Sequence, residues 1–473
     1  MRTTTSHTDN MALLSRDSVL TALGIGFLSS WVYCAYNTSS LFHGRPGNAS
    51  LAHPSWLAAI AGAILVLVAG AVLFNRVRET RRLLEPAAVA LMAGGTVLSA
   101  VSLAPLLSMA GGFASGIGYG LLWLFWGRVL AEIHSERTEY IVPASSAVTA
   151  LTALVFPTLS GPIGVTAVAA LAPLSFGCLA VARKQVPYDG DPTRGNDARA
   201  PMPSRNILQV IAYTVSLYFV IGCLNSLSPL LETPLGPFTV NIPVLLGSCL
   251  GILLALLCIL YAVRIDLVSL SKLIAPLLMG AITLFALQRP LAEQCFVALL
   301  AGADFMAVSV IIVYLVNLEK AGRLRRYSGI GIAQGALLIG SVAGNLFGRQ
   351  WHEGGLGLST EQLLFIMLVL ASALVLSLSF IPRSTSARPA AGPAASTQKE
   401  RDIAEVVQDL AAAKGLTPRE TEILEYLARG RTEPYIREQL WLSRSTVSTH
   451  VKHIYQKLGI HSKQEIISLI EKS

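Results

Sequence analysis

Apolar stretches long enough to cross a lipid bilayer recur along residues 18–382, separated by short polar connections. A bilayer's hydrocarbon core is about 30 Å thick, so a spanning helix needs roughly 20 mostly apolar residues. Twelve such spans are expected, at 18–36, 55–75, 86–104, 109–131, 141–158, 162–182, 207–231, 241–263, 273–288, 294–318, 329–348 and 362–382. Connections such as 105–108 and 159–161 are too short to hold a domain, so the spans they join form antiparallel hairpins. The first stretch follows Arg2 and Arg16 as a secretion signal would. Its apolar run is longer than a signal's and lacks a clear small-residue cleavage site, so it is expected to be the first span. Only 14% of the chain is charged, against about 25% in soluble domains, which excludes a soluble enzyme or a disordered chain as the whole protein.

Basic residues in short loops set orientation. The loops after even-numbered spans hold sixteen Lys and Arg, among them Arg76, Arg78, Arg81 and Arg82, then Lys320, Arg323, Arg325 and Arg326. The opposite loops hold only Arg45, Arg289 and Arg349. Both termini are therefore expected in the cytoplasm. The longest loop of the first set, 183–206, follows the sixth span and divides the region into halves 18–182 and 207–382, behind a short cytoplasmic segment 1–17.

Six spans, a polar linker and six more spans resemble the layout of the major facilitator superfamily, whose halves pack around a central cavity. In that family the loop between spans two and three usually reads G-x-x-x-D-R-x-G-R-R. Here it reads Asn75-Arg76-Val77-Arg78-Glu79-Thr80-Arg81-Arg82. The basic residues match, and the glycines and the aspartate are absent. The resemblance thus implies a cavity, and leaves open whether the region transports or only senses.

Gly112, Gly116 and Gly120 form a double G-x-x-x-G in the fourth span, and Gly331, Gly335, Gly340 and Gly344 repeat the theme in the eleventh. Such ridges let helix backbones approach in lipid. Gly116-Ile117-Gly118 and Gly329-Ile330-Gly331 lie inside apolar spans with no strand before them, which reads as packing and not as a nucleotide loop. Asp304 stands near the middle of the tenth span, where a carboxylate is costly and marks a candidate sensor or proton site, or a structural partner to a neighbouring helix. Gln334, Asn225 and Asn345 are softer candidates, more typical of hydrogen bonds between helices. Trp123 and Trp126 lie toward the cytoplasmic end of the fourth span, where an interfacial belt is expected ahead of an aromatic binding cage. The six cysteines lie in or beside apolar stretches without a C-x-x-C pair, so no disulfide framework or zinc site is expected.

The tail differs in kind. Residues 396–473 carry 23 charged residues in 78, whereas the preceding 395 residues carry 41. Residues 383–398, RSTSARPAAGPAASTQ, cannot build a core and are expected to be a flexible linker, reaching roughly 50 Å when extended. Beyond it, 399–473 is expected to be a separate domain. Ile403, Val406, Val407 and Leu410 give an amphipathic helix that Gly415 stops. Thr417-Pro418-Arg419-Glu420 is a capping box, opening a helix that ends at Gly430. Thr432 caps a short second helix to Leu440, Trp441-Leu442 makes a turn, Ser443 caps a third helix closed by Gly459, and Ser462 with Glu465 opens a fourth. In the third helix Val447, Val451, Ile454 and Leu458 form a core stripe, while Ser445, Ser448, Thr449, Lys452 and Gln456 form a polar, acid-free face. From Ser443 to Gln464 there are four cations, three histidines and no acid, as phosphate attraction requires.

This segment resembles the C-terminal DNA-binding domain of LuxR-type transcriptional regulators. The matching residues are Leu416-Thr417-Pro418-Arg419-Glu420, Leu424, Gly430, Ile436, Leu440, Ser443, Thr446-Val447, His450-Val451, Ile454 and Lys457-Leu458-Gly459. The resemblance implies a recognition helix at about 444–458. It implies base contacts at Ser448, Thr449 and Lys452, phosphate contacts at Ser445 and Thr446, and dimerisation through the helix from Ser462. Lys457 joins this set as a further DNA-binding candidate. Lysine usually stands at the position of Ser448, and N-x-E-I-A where this chain has Glu433-Pro434-Tyr435-Ile436-Arg437.

The expected fold is all-α: a twelve-helix membrane bundle of the major-facilitator kind, followed by a four-helix LuxR-type helix-turn-helix domain. The expected function is a membrane-anchored one-component regulator of the bacterial cytoplasmic membrane; the alternative is a transporter carrying a DNA-binding signalling domain. Expected partners are double-stranded DNA, the bilayer, an unknown small-molecule ligand sensed around Asp304, Gln334 and Asn225, a second copy on DNA, and RNA polymerase. No nucleophile elbow, metal-ligand spacing or phosphate loop is present, so neither an enzyme nor a cofactor is expected.

Overall fold

The computed structural model describes residues 16–36, 54–73, 81–102, 104–133, 135–159, 161–185, 203–226, 245–250, 252–253, 257, 267–287, 289–325, 328–352, 355, 357–378, 406–428, 436, 440 and 444–459. The chain forms two compact units, Met1–Ala387 and Arg388–Ser473.

The first unit is built from α1 (Arg16–Tyr36), α2 (Pro54–Leu73), α3 (Arg81–Val101), α4 (Pro105–Glu132), α5 (Ser135–Ala144), α6 (Ser146–Val155), α7 (Gly161–Gln185), α8 (Ser204–Ser226), α9 (Leu267–Ala286), α10 (Pro290–Lys320), α11 (Gly329–His352) and α12 (Thr360–Leu378). Eight of these described helices are long and apolar enough to cross a membrane, and two shorter apolar helices lie at Ile274–Ala286 and Thr360–Leu374. Most of the expected eighth span, 241–263, lies outside the described residues, as do the 383–398 linker and most of the 183–206 loop.

Two expectations need correction. The fifth span is not one rod: α5 stops at Ala144, α6 begins at Ser146, and a 3₁₀ turn Phe156–Thr158 follows. Pro143 lies inside α5, where it removes a backbone donor and crowds the preceding turn. The Ser145 and Ser146 hydroxyls donate to the carbonyls of Val142 and Pro143, both at 2.6 Å, which favours a bend. The second correction concerns Trp123 and Trp126, which form no interfacial belt. Both are buried in the bundle, and the Trp126 indole donates to Ser175 Oγ at 3.0 Å, which in turn donates to the Gly24 carbonyl at 2.7 Å. Trp31 likewise donates to Thr96 Oγ1 at 3.0 Å, so the tryptophans pin α1, α3, α4 and α7 together.

The glycine ridges lie where backbones meet. α4 packs against α2 and α3, and α11 packs against α2 and α8. A Cβ at Gly116 would run into the Ala59 carbonyl of α2. On α11, Gly331 faces the Leu67 carbonyl of α2, while Gly340 and Gly344 face the Val215 and Phe219 carbonyls of α8. Proline sets the first turns of α4 and α10. α10 ends at Gly322 with φ +69°, and the buried Glu319 carboxylate accepts the Gly329 N–H of α11 at 2.8 Å.

In the second unit, a helical segment 406–414, α13 (Pro418–Ala428) and α14 (Arg444–Leu458) surround one core. Val407, Ile423, Leu424, Leu427 and Ile436 are buried in it with Val447, Val451, Ile454 and Leu458, the whole expected stripe of α14. Val407 belongs to this core and Leu410 packs against it, so the amphipathic segment covers its own domain. Gly415 and Gly459 have positive φ at the expected stops. The expected second helix, apart from Ile436 and Leu440, and the fourth helix from Ser462 lie outside the described residues.

Candidate functional site

The helices of the first unit line a partly open cavity of about 260 Å³. Its walls mix aliphatic side chains such as Ile60, Val297 and Leu338 with polar and aromatic ones. α1 contributes Ser29 and Tyr33, α2 Trp56, and α4 Tyr119 and Trp123. The junction between α5 and α6 contributes Ser145, Ser146 and Thr149. α8 supplies Tyr218 and Asn225, α10 supplies Asp304 and Phe305, and α11 supplies Gln334, Ser341 and Asn345. Asp304, Gln334 and Asn225, picked out separately in three spans, thus line one space.

The Tyr218 hydroxyl lies 3.5 Å from the Asp304 main-chain carbonyl, at the long limit of a hydrogen bond. The Asn345 amide donates to the Ser341 carbonyl at 2.8 Å, which leaves its Oδ1 buried without a partner. Tyr119 stands between two tryptophans, with ring centroids 5.3 Å from Trp31 and 6.3 Å, edge-on, from Trp123. This arrangement can bind and orient a ligand. Among the described residues no group of His, Cys, Asp or Glu is placed to hold a metal ion. Sequence reasoning ranked an aromatic cage second at Trp123 and did not single out Trp56 or Tyr119, because a ring inside an apolar span carries no mark that separates lining from packing.

In the second unit the capping box closes as its spacing demands. The Thr417 N–H donates to Glu420 Oε2 at 2.8 Å, and the Glu420 N–H donates to Thr417 Oγ1 at 3.3 Å. Glu420 also binds the Lys457 ammonium at 2.7 Å, and His453 Nδ1 lies 3.8 Å away. The Lys457 hydrogen bond first, and then the Thr417 N–H, hold the Glu420 carboxyl down to about 2. Lys457 donates as well to the Gly415 carbonyl at 3.0 Å. Lys457 is thus exposed on α14 like Lys452 but, unlike it, is tied to two groups of its own domain. Ser448, Thr449 and Lys452 are exposed together on the face of α14 opposite the core stripe, and Thr446 is half-buried beside them. Ser445 lies in the first turn of α14, and its side chain is outside the described ones.

Residues 414–470 match the family described as bacterial regulatory proteins, luxR family. Over 52 residues the chain is 48% identical to the Fimbriae Z protein of Salmonella typhimurium, covering 11% of this chain and 25% of that protein. It is 50% identical over 52 residues to the uncharacterised response regulatory protein YgeK of Escherichia coli, covering 35% of it. The chain thus spans about a quarter to a third of the length of these relatives. The helical region superposes on the major facilitator superfamily proton:xylose symporter XylE with a TM-score of 0.52 and 16% identity, over 79% of this chain and 97% of that one. A bacterial homologue of the iron transporter ferroportin, in its outward-facing state, gives a TM-score of 0.52 and 15% identity, over 79% and 100%. The chain therefore joins a LuxR-type DNA-binding domain, at its C-terminal end, to a helical region with the fold of the major facilitator superfamily.

Proposed function

We propose that this protein is a membrane-anchored one-component transcriptional regulator. The bundle crosses the cytoplasmic membrane twelve times with both termini inside. A small molecule in the central cavity shifts the bundle between two conformations, and that equilibrium controls sequence-specific DNA binding by the tail. The observation that carries the reading is the cavity itself: Asp304, Gln334 and Asn225 converge on it in a chain that ends in a DNA-binding domain. On DNA, Ser448, Thr449 and Lys452 read bases, Ser445 and Thr446 hold phosphates, and the segment from Ser462 pairs two copies.

Transcript profiling with and without the gene identifies the target promoter, and a reporter on that promoter then tests the sensor. Asp304→Asn is expected to change the inducer response while membrane insertion and operator binding by the tail stay as in the parent. An Asp304→Asn protein that regulates like the parent under every inducing condition reduces Asp304 to a structural residue. The departures from the transporter loop at Asn75–Arg82 favour sensing over transport. Accumulation of a substrate in vesicles by the 1–382 region would reverse that order.

A further inference from the structure

We propose that the cavity takes a small organic monocation with a single aromatic or compact apolar body. The inference rests on the regulator reading only in taking this cavity as the sensor.

Charge is the first argument. Among the described lining residues Asp304 is the only carboxylic acid, and none is Lys, Arg or His. A carboxylate held among apolar helices is costly without a counter-charge, and a bound cation supplies one. The second argument is the lining chemistry. Asn345 Oδ1 is a buried acceptor without a hydrogen-bond partner among the described residues, and Asn345 lines the cavity. An unsatisfied buried acceptor costs free energy until a donor arrives. The Asp304 carboxylate lines the same space and is an acceptor that a ligand N–H can meet, which is what an ammonium offers and what an anion lacks. The third argument is the aromatic wall: Trp56, Tyr119 and Trp123 present rings to the same space, and ring faces attract organic cations.

Size and coordination narrow the class. A volume of about 260 Å³ lies below the roughly 300–1,000 Å³ of sites for drug-sized ligands, so the body is about one ring. A metal ion is the poorer fit. Calcium and magnesium take six or more oxygens at close range, usually with several carboxylates, and the described wall holds one carboxylate.

The test uses the full chain in lipid nanodiscs with three probes of matched size: phenethylammonium, phenethyl alcohol and phenylacetate. Tryptophan fluorescence reports binding, since Trp56 and Trp123 face the cavity, and thermal stabilisation gives a second readout. Phenethylammonium is expected to bind at least about tenfold more tightly than the alcohol, with phenylacetate weakest. Asp304→Asn should reduce the ratio of cation to alcohol affinity to about one. Equal binding of cation and alcohol, a preference for phenylacetate, the absence of saturable binding of all three, or an unchanged ratio in Asp304→Asn would each overturn the proposal. Should Asp304→Asn not insert, the probe ranking on the parent decides alone. The reporter separates the two ideas. A cation that binds but leaves transcription unchanged removes the regulator reading and keeps the ligand class. A preference for the neutral or anionic probe that does drive the reporter does the reverse.

Discussion

Glu420 shows how one residue serves two levels of structure. Its position three after Thr417 makes it a helix cap, and its depth in the domain makes it the anchor for Lys457 on α14. Lys457→Met leaves that buried carboxylate without its cation. We expect it to destabilise the 388–473 unit by about 1–3 kcal/mol in urea unfolding, with operator affinity of the folded protein little changed. A large affinity loss without destabilisation would return Lys457 to the DNA face. The pH dependence has a definite sign. The folded carboxyl is more acidic than its ordinary value of 4.5, so its contribution is full above that value and is lost as the pH falls toward about 2. Acid unfolding of Glu420→Gln should lack that component. On the opposite face, Thr449→Ala should cost roughly 1–3 kcal/mol on the specific site and little on random DNA, as for a base contact. Lys452→Ala should either relax one base position or shallow the salt dependence by about one counterion. Titration onto operator and scrambled DNA at several salt concentrations distinguishes these. If both alanine variants bind operator like the parent, α14 is not the reader.

At the scale of elements, the α11 ridge is the most exposed to test. Gly344→Leu places a branched side chain where the Phe219 carbonyl of α8 lies. The expected result is a bundle that fails to assemble, seen as aggregation in detergent. A lipid-facing change such as Phe365→Leu, on a side chain 68% exposed, should be tolerated. Monodisperse Gly344→Leu protein with the parent's melting temperature would show that the ridge is dispensable. Spacing of four along a helix made these ridges legible in the sequence, and so did the core stripe of α14 and the Thr417–Glu420 box, because local geometry alone fixes which residues share a face. Asp304, Gln334 and Asn225 were legible for another reason: a polar group in an apolar span is a local cost that needs a partner. Tyr119 and Trp56 were not, since an aromatic ring costs the same against packed helices as against an open cavity. The bend at Ser145 was missed for a related reason. Pro143 was visible, but where the helix breaks depends also on the Ser145 and Ser146 hydroxyls, which bond the carbonyls of Val142 and Pro143.

The whole molecule joins an apolar bundle to a polar domain, and in the proposed function orientation decides whether the one can act on the other. A reporter enzyme fused after Arg383 should show cytoplasmic activity, as sixteen basic residues in one set of loops against three in the other require. External activity there would remove the DNA-reading function together with the topology. Within the bundle, α11 belongs to the second half by sequence, yet one pair of its glycines faces α2 of the first half and the other faces α8 of its own. α11 is thus a member that both halves hold, through Gly331 on α2 and through Gly340 and Gly344 on α8, and spin labels on α2 and α11, and on α8 and α11, should report which of its two contacts changes when the cavity is occupied.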